Sequence, residues 1–219
     1  MRCVRIWFSK NGRIKYVSHL DIMRSMTRAV RRAKIPLWYT EGFNPHPYLN
    51  FLQPLPLGVE GEKEPLDIRI EGDITNEKIK SDLNLVLPVG IEIKNVTEPN
   101  MKASDIAFAD YEIFFENEDG LVDKLTKAME SGELSCEKMG KVNGRKKIKQ
   151  VDVSGNIKNY EICQKDDCVV MNVTFPCGNT KNVNPMNLMT AVNSYLATEI
   201  VPVNVVRLAL KDENMKDFE

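Results

Sequence analysis

The chain has 219 residues, 42% of them hydrophobic and 28% charged, with a formal net charge of −1. That balance fits a globular protein with a sizeable core and excludes an intrinsically disordered chain. No run of about 18 apolar residues exists and MRCVRIWFSK lacks an apolar leader core, so a cytoplasmic protein is expected, with its five irregularly spaced cysteines as reduced thiols.

Residues 2–8 alternate Val4, Ile6 and Phe8 with Arg5 and Trp7, which predicts a strand. Residues 18–34 predict a helix capped by Ser18, with Asp21 placed to favour the helix dipole and Pro36 closing it. Strands are expected at 48–52 and 66–71, a helix at 75–86 and a strand at 91–96. The order is β-α-β-β-α-β, a ferredoxin-like unit with both helices on one face of an antiparallel sheet. The order then recurs. Strand patterns lie at 111–116, 147–153, 160–164, 169–175 and 203–210, and helix patterns at 121–131 and 184–196, the last with Pro185 in its first turn. The expected fold class is α+β: two ferredoxin-like (βαββαβ) units in tandem, 1–100 and 106–219, in a TruA-like arrangement. One larger α+β domain with a continuous sheet is the alternative.

Charge is sorted along the chain. Residues 1–50 carry ten Lys or Arg against Asp21 and Glu41, a surplus of +8, and a basic island, KMGKVNGRKKIK, spans 138–149 in an otherwise acidic remainder. Such sorting points to a polyanion. On the first helix, Ile22, Met23, Met26, Ala29, Val30 and Ala33 project to one side and Arg24, Arg28, Arg31 and Arg32 to the other. Asp21 can pair with one or two of these arginines, and the rest are available to phosphate, which the guanidinium fork matches. The helix leads into YTEGFNPHP, where Gly42, Pro45 and Pro47 shape a loop that presents Tyr39, Glu41, Phe43, Asn44 and His46. Unpaired RNA bases are held by such sets, through stacking and hydrogen bonds. The expected RNA-binding residues are these five, Arg24, Arg28, Arg31 and Arg32, and Lys141, Arg145, Lys146 and Lys147 of the island.

The segment SHLDIMRSMTRAVRRAKIPLWYTEGFNPHPYLNFLQPLPLGVE resembles the signature of a bacterial family described as radical-SAM-linked proteins, a domain of unknown function. The resemblance implies a partner, a radical SAM protein with a B12-binding region, and no reaction. LNLVLPVGIEIKNVTEP followed by DYEIFF is similar to the TruA-type tRNA pseudouridine synthases, at Leu83, Asn84, Leu87, Pro88, Ile91 and Val96. That similarity implies two ferredoxin-like halves cradling tRNA. The Arg-Thr-Asp-Gly type loop of those enzymes, with its attacking aspartate, is replaced here by EGFNPHP, which has no aspartate, so their reaction is not implied.

No P-loop, dinucleotide or iron–sulfur motif is present, and Cys163, Cys168 and Cys177 lack zinc-ligand spacing, so no cofactor or metal is expected. Asp21, His19 and His46 are the candidates for acid–base work. The expected function is a non-catalytic RNA-binding accessory protein that presents tRNA or rRNA to a modification enzyme, with no DNA and no membrane partner. The alternatives are an RNA-modifying enzyme with its site at the helix N-terminus and the EGFNPHP loop, and a protein-docking module without nucleic acid.

Overall fold

The computed structural model describes residues 1–142, 145–178 and 181–219, and for Lys138 and residues 140–142 and 145–147 the backbone alone. The chain divides into two compact units, one of Met1–Ile106 with Val206–Glu219 and one of Ala107–Val205.

The first unit follows the expected order: β1 (Arg2–Lys10), α1 (His19–Arg32), β2 (Leu49–Phe51), β3 (Glu60–Ile70), α2 (Asn76–Asn84) and β4 (Ile91–Thr97). β1 lies between β3 and β4, antiparallel to both, and β2 pairs antiparallel with the second half of β3 through Leu49↔Ile68 and Phe51↔Leu66. This is the ferredoxin-like arrangement. β3 begins six residues before the expected 66 because its first half serves another neighbour: β10 (Asn204–Lys211) runs parallel to it at Val206↔Glu60 and Arg207↔Gly61. Alternate residues of β1, Val4, Ile6 and Phe8, meet Ile22, Met26 and Val30 of α1 in one apolar core, and Ile79 and Leu83 of α2 join it. The pleat puts Arg5 and Trp7 on the opposite face, where Arg5 forks onto Asp67 at 2.8 and 3.1 Å and Phe218 packs edge-on against Trp7.

The second unit contains β5 (Phe108–Glu116), α3 (Leu121–Glu130), β6 (Ser135–Val142), β7 (Arg145–Asp152), β8 (Asn159–Lys165), β9 (Cys168–Pro176) and α4 (Pro185–Leu196). β9 sits antiparallel between β5 and β8. The fold is therefore α+β, as the periodicities predicted. Two further features differ from expectation: Val206–Glu219, placed in the second unit by the expected bounds 106–219, groups with the first, and the basic island is not a single strand. The basic island is a two-stranded antiparallel hairpin of its own, β6 on β7, so the strand expected at 147–153 pairs with residues that periodicity had left unassigned. It stands between α3 and β8 as an insertion into the repeated order. All five cysteines are free thiols, and no helix of the described residues is long and apolar enough to cross a membrane.

Candidate functional site

α1 is built as its sequence dictates. Ser18 takes extended dihedrals and its Oγ accepts from the Asp21 amide at 3.2 Å, while its hydroxyl donates to Asp21 Oδ2 at 2.7 Å. Asp21 also receives Arg24 Nη1 at 3.0 Å, and these two hydrogen bonds, Ser18 first, hold its carboxyl below the usual carboxylate range. Asp21 is thus occupied as a charged cap. Arg32 donates to the Val86 carbonyl at 2.8 Å, just past the end of α2. Arg28 and Arg31 have no ion-pair or hydrogen-bond partner among the described residues, and with Ser25, Arg32 and Pro88 they line an open groove of about 430 Å³. Two of the four arginines are tied to the protein and two are left over.

The loop after α1 is a closed finger. Trp38 and Tyr48 begin its two arms, joined by Tyr48 N to Trp38 O at 3.2 Å, and Tyr39 and Pro47 form the next bridge. Arg69 of β3 lies over both rings, 5.2 Å from the Trp38 centroid and 4.4 Å from that of Tyr48, and so clamps the base. The Thr40 amide donates to the His46 carbonyl at 2.9 Å, and His46 Nδ1 lies 3.0 Å from Thr40 Oγ1 and 3.2 Å from the Asn44 carbonyl. At the tip Gly42 takes φ 133°, open to glycine, and Phe43 is fully exposed. Tyr39, Glu41, Asn44 and His46 are exposed as well. The finger therefore displays an aromatic ring in water on a braced scaffold. The side chains of Lys141, Arg145, Lys146 and Lys147 lie outside the described residues.

A second constellation was not foreseen. Burial changes the meaning of the N-terminal charge surplus, because Arg5 and Lys10 are both inside and Lys15 is paired with Glu60 at 3.2 Å. Lys10 is 4% exposed, Glu64 3%, Gln53 7% and Arg207 1%. Arg207 Nε donates to Glu64 Oε1 at 3.0 Å and its Nη2 to Glu64 Oε2 and to the Gln53 carbonyl. Lys10 Nζ donates to the Lys15 and Val17 carbonyls at 3.2 and 3.4 Å. Lys10, Gln53, Glu64 and His19 wall a cavity of about 20 Å³, with Arg207 outside the lining and held on Glu64, and the His19 ring meets Phe51 edge-on at 5.1 Å. Burial lowers the pKa of Lys10, and Arg207 lowers it further while Glu64 opposes. The sequence signals are a lysine at the end of an apolar strand and one of three glutamates in β3, and neither has a period that singles it out. His19 and His46 occupy separate places, the cavity wall and the finger. Among the described residues no three His, Cys, Asp or Glu side chains are grouped to hold a metal ion.

His19 should titrate below the ordinary imidazole value of 6.5, because burial and then the Lys10 charge disfavour its imidazolium. An NMR pH titration checks this, and Lys10→Met should move the midpoint part of the way back, since burial remains. The folded chain then binds this proton less readily than the unfolded chain, so stability is lost as pH falls through 6.5.

Residues 3–185 match the model of a family described as an uncharacterized protein conserved in bacteria, DUF2344. No curated protein matches the chain. Among solved structures it is similar to a chain of the crystal structure of a Cbf5–Nop10–Gar1 complex, with a TM-score of 0.50 and 10% identity over 96% of this chain and 50% of that one. The protein spans about half the length of that neighbour, and at such identity the likeness is one of fold. It is also paired with the crystal structure of an unknown protein from Galdieria sulphuraria at a TM-score of 0.25 and 12% identity, over 92% of this chain and 96% of that one, too distant to bear on the fold.

Proposed function

We propose that this protein, which belongs to the bacterial DUF2344 family, is a non-catalytic RNA-binding accessory that presents structured RNA, a tRNA or rRNA, to a modification enzyme. The observation that carries this reading is the pair Arg28 and Arg31, on an exposed groove of α1 without an ion-pair or hydrogen-bond partner among the described residues. Guanidinium groups left free in this way match phosphate oxygens in pairs. The braced finger supplies what phosphate contacts lack. Phe43, Tyr39 and His46 are exposed rings on which unpaired bases can stack. The fold likeness to a chain of a Cbf5–Nop10–Gar1 complex is compatible with it. The resemblance of the α1 and finger segment to radical-SAM-linked proteins names the partner enzyme of this proposal, a radical SAM protein with a B12-binding region. That partner should modify RNA in higher yield when the protein is added, and an unchanged yield would separate RNA binding from presentation.

Fluorescence anisotropy of labelled tRNA and rRNA fragments across a salt series tests the binding. The logarithm of affinity should fall linearly with the logarithm of salt, by a slope of about −0.7 to −0.9 per neutralised phosphate. Arg24→Glu, Arg28→Glu, Arg31→Glu together should weaken binding by ~100-fold or more at low salt and flatten that slope. Binding that ignores salt, or that survives the triple substitution in a folded protein, sinks the reading. The cavity of Lys10, His19 and Glu64 favours one second reading, an enzyme with His19 in its site, which predicts turnover by the isolated chain.

A further inference from the structure

The cavity walls do not account for all of their own polar groups. Glu64 is satisfied, because Arg207 engages both of its oxygens. Lys10 has two long hydrogen bonds to carbonyls and no carboxylate within ion-pair reach, so its third N–H has no partner among the described residues. Gln53 is 7% exposed as a residue and lines the cavity, and its side-chain amide makes no hydrogen bond to a described residue. The His19 ring touches Phe51 and also has no hydrogen-bond partner among them.

Charge has the same remainder. Lys10 and Arg207 carry two positive charges against the single negative charge of Glu64, while the Lys15–Glu60 pair is balanced. An isolated buried ammonium is costly unless something answers it. A purely structural role, tying the turn at Lys15 and Val17, explains the two carbonyl contacts of Lys10. It does not use the Gln53 amide or the His19 ring, which face the cavity without a hydrogen-bond partner among the described residues.

From this we infer that the cavity binds the oxygen of a small oxyanion, a carboxylate or phosphoryl group, held by Lys10, the Gln53 amide and His19. The available volume of about 20 Å³ takes one water-sized atom. The cavity is partly open to solvent, so the body of the ligand lies outside it. A water also fits this volume and can donate to the Gln53 side-chain oxygen, so what favours an anion here is the surplus of positive charge, Lys10 and Arg207 against Glu64. Phe8, Ile22, Phe51 and Leu55 form the remaining walls and lower the local dielectric, which strengthens each charge-assisted contact. The site shares no residue with the α1 groove, so it does not depend on RNA binding.

The experiment titrates the full chain with inorganic phosphate and, separately, with acetate, at constant ionic strength against a chloride control. NMR follows the Gln53 side-chain amide and the His19 ring. Saturable shifts at both groups are expected, with phosphate alone identifying a phosphoryl ligand and acetate a carboxylate. Lys10→Met should weaken the apparent affinity by at least ~10-fold. If that variant does not fold, Gln53→Leu keeps the cation, removes the amide and should also weaken binding. Shifts no larger than those with chloride, or unchanged affinity in the folded variants, overturn the inference.

Discussion

Arg207→Met should lower the free energy of unfolding by about 3–5 kcal/mol, because it leaves the Glu64 carboxylate buried without its partner. The pair joins β3 to β10 with both side chains almost fully inside, so solvent cannot take over the role of the lost guanidinium. Replacing both residues, Glu64→Leu with Arg207→Met, should recover most of the loss, since two apolar groups need no counter-charge. Urea unfolding at constant slope measures both variants. A single variant within about 1 kcal/mol of the parent would mean that water reaches the Glu64–Arg207 pair.

Gly90→Ala should cost roughly 2–4 kcal/mol through two effects that add. Gly90 has φ 94° in the turn Pro88 to Ile91, where the Ile91 amide donates back to the Pro88 carbonyl at 3.2 Å. A side chain disfavours that backbone region. A Cβ there would also lie 2.6 Å from the Asn11 carbonyl oxygen and 2.9 Å from Ile14 Cγ2. Backbone cannot step aside as a side-chain tip can. The Asn11 amide donates to the Gly90 carbonyl at 2.8 Å, so the substitution should also loosen the 3-10 turn at Gly12–Tyr16. Thermal unfolding together with amide exchange at Asn11 reports both effects.

The fold was legible where one face of an element is buried. α1 shows its apolar stripe at Ile22, Met26, Ala29 and Val30 because it packs on a single sheet face, and its cap was legible because Ser18 acts on its own chain three residues on. The 3-10 turn at Gly12–Tyr16 buries no residue and so leaves no period to read. The hairpin of β6 and β7 hid behind its lysines: a two-stranded ribbon needs no continuous apolar face, and Met139 and Ile148, paired across it, are both exposed. Site residues followed the same division. The α1 arginines were visible because neighbours on one helix surface share a sequence spacing. Which of them are free was not, since the Val86 carbonyl that engages Arg32 comes from 54 residues away. The cavity was least visible, because Glu64 and Arg207 meet across 143 positions and no local pattern encodes a partner so distant.

The path of the chain through its two units has a consequence for how the protein is made. The first unit loses the thread at Ile106 and regains it at Val206. A ribosome therefore delivers β1, β3 and β4 well before Arg207 can reach Glu64 and Phe218 can cover Trp7. During that interval the nascent first unit carries an unanswered carboxylate and an uncovered indole, while the second unit has all of its residues in one stretch. The first unit to begin emerging is therefore the last to have all of its residues.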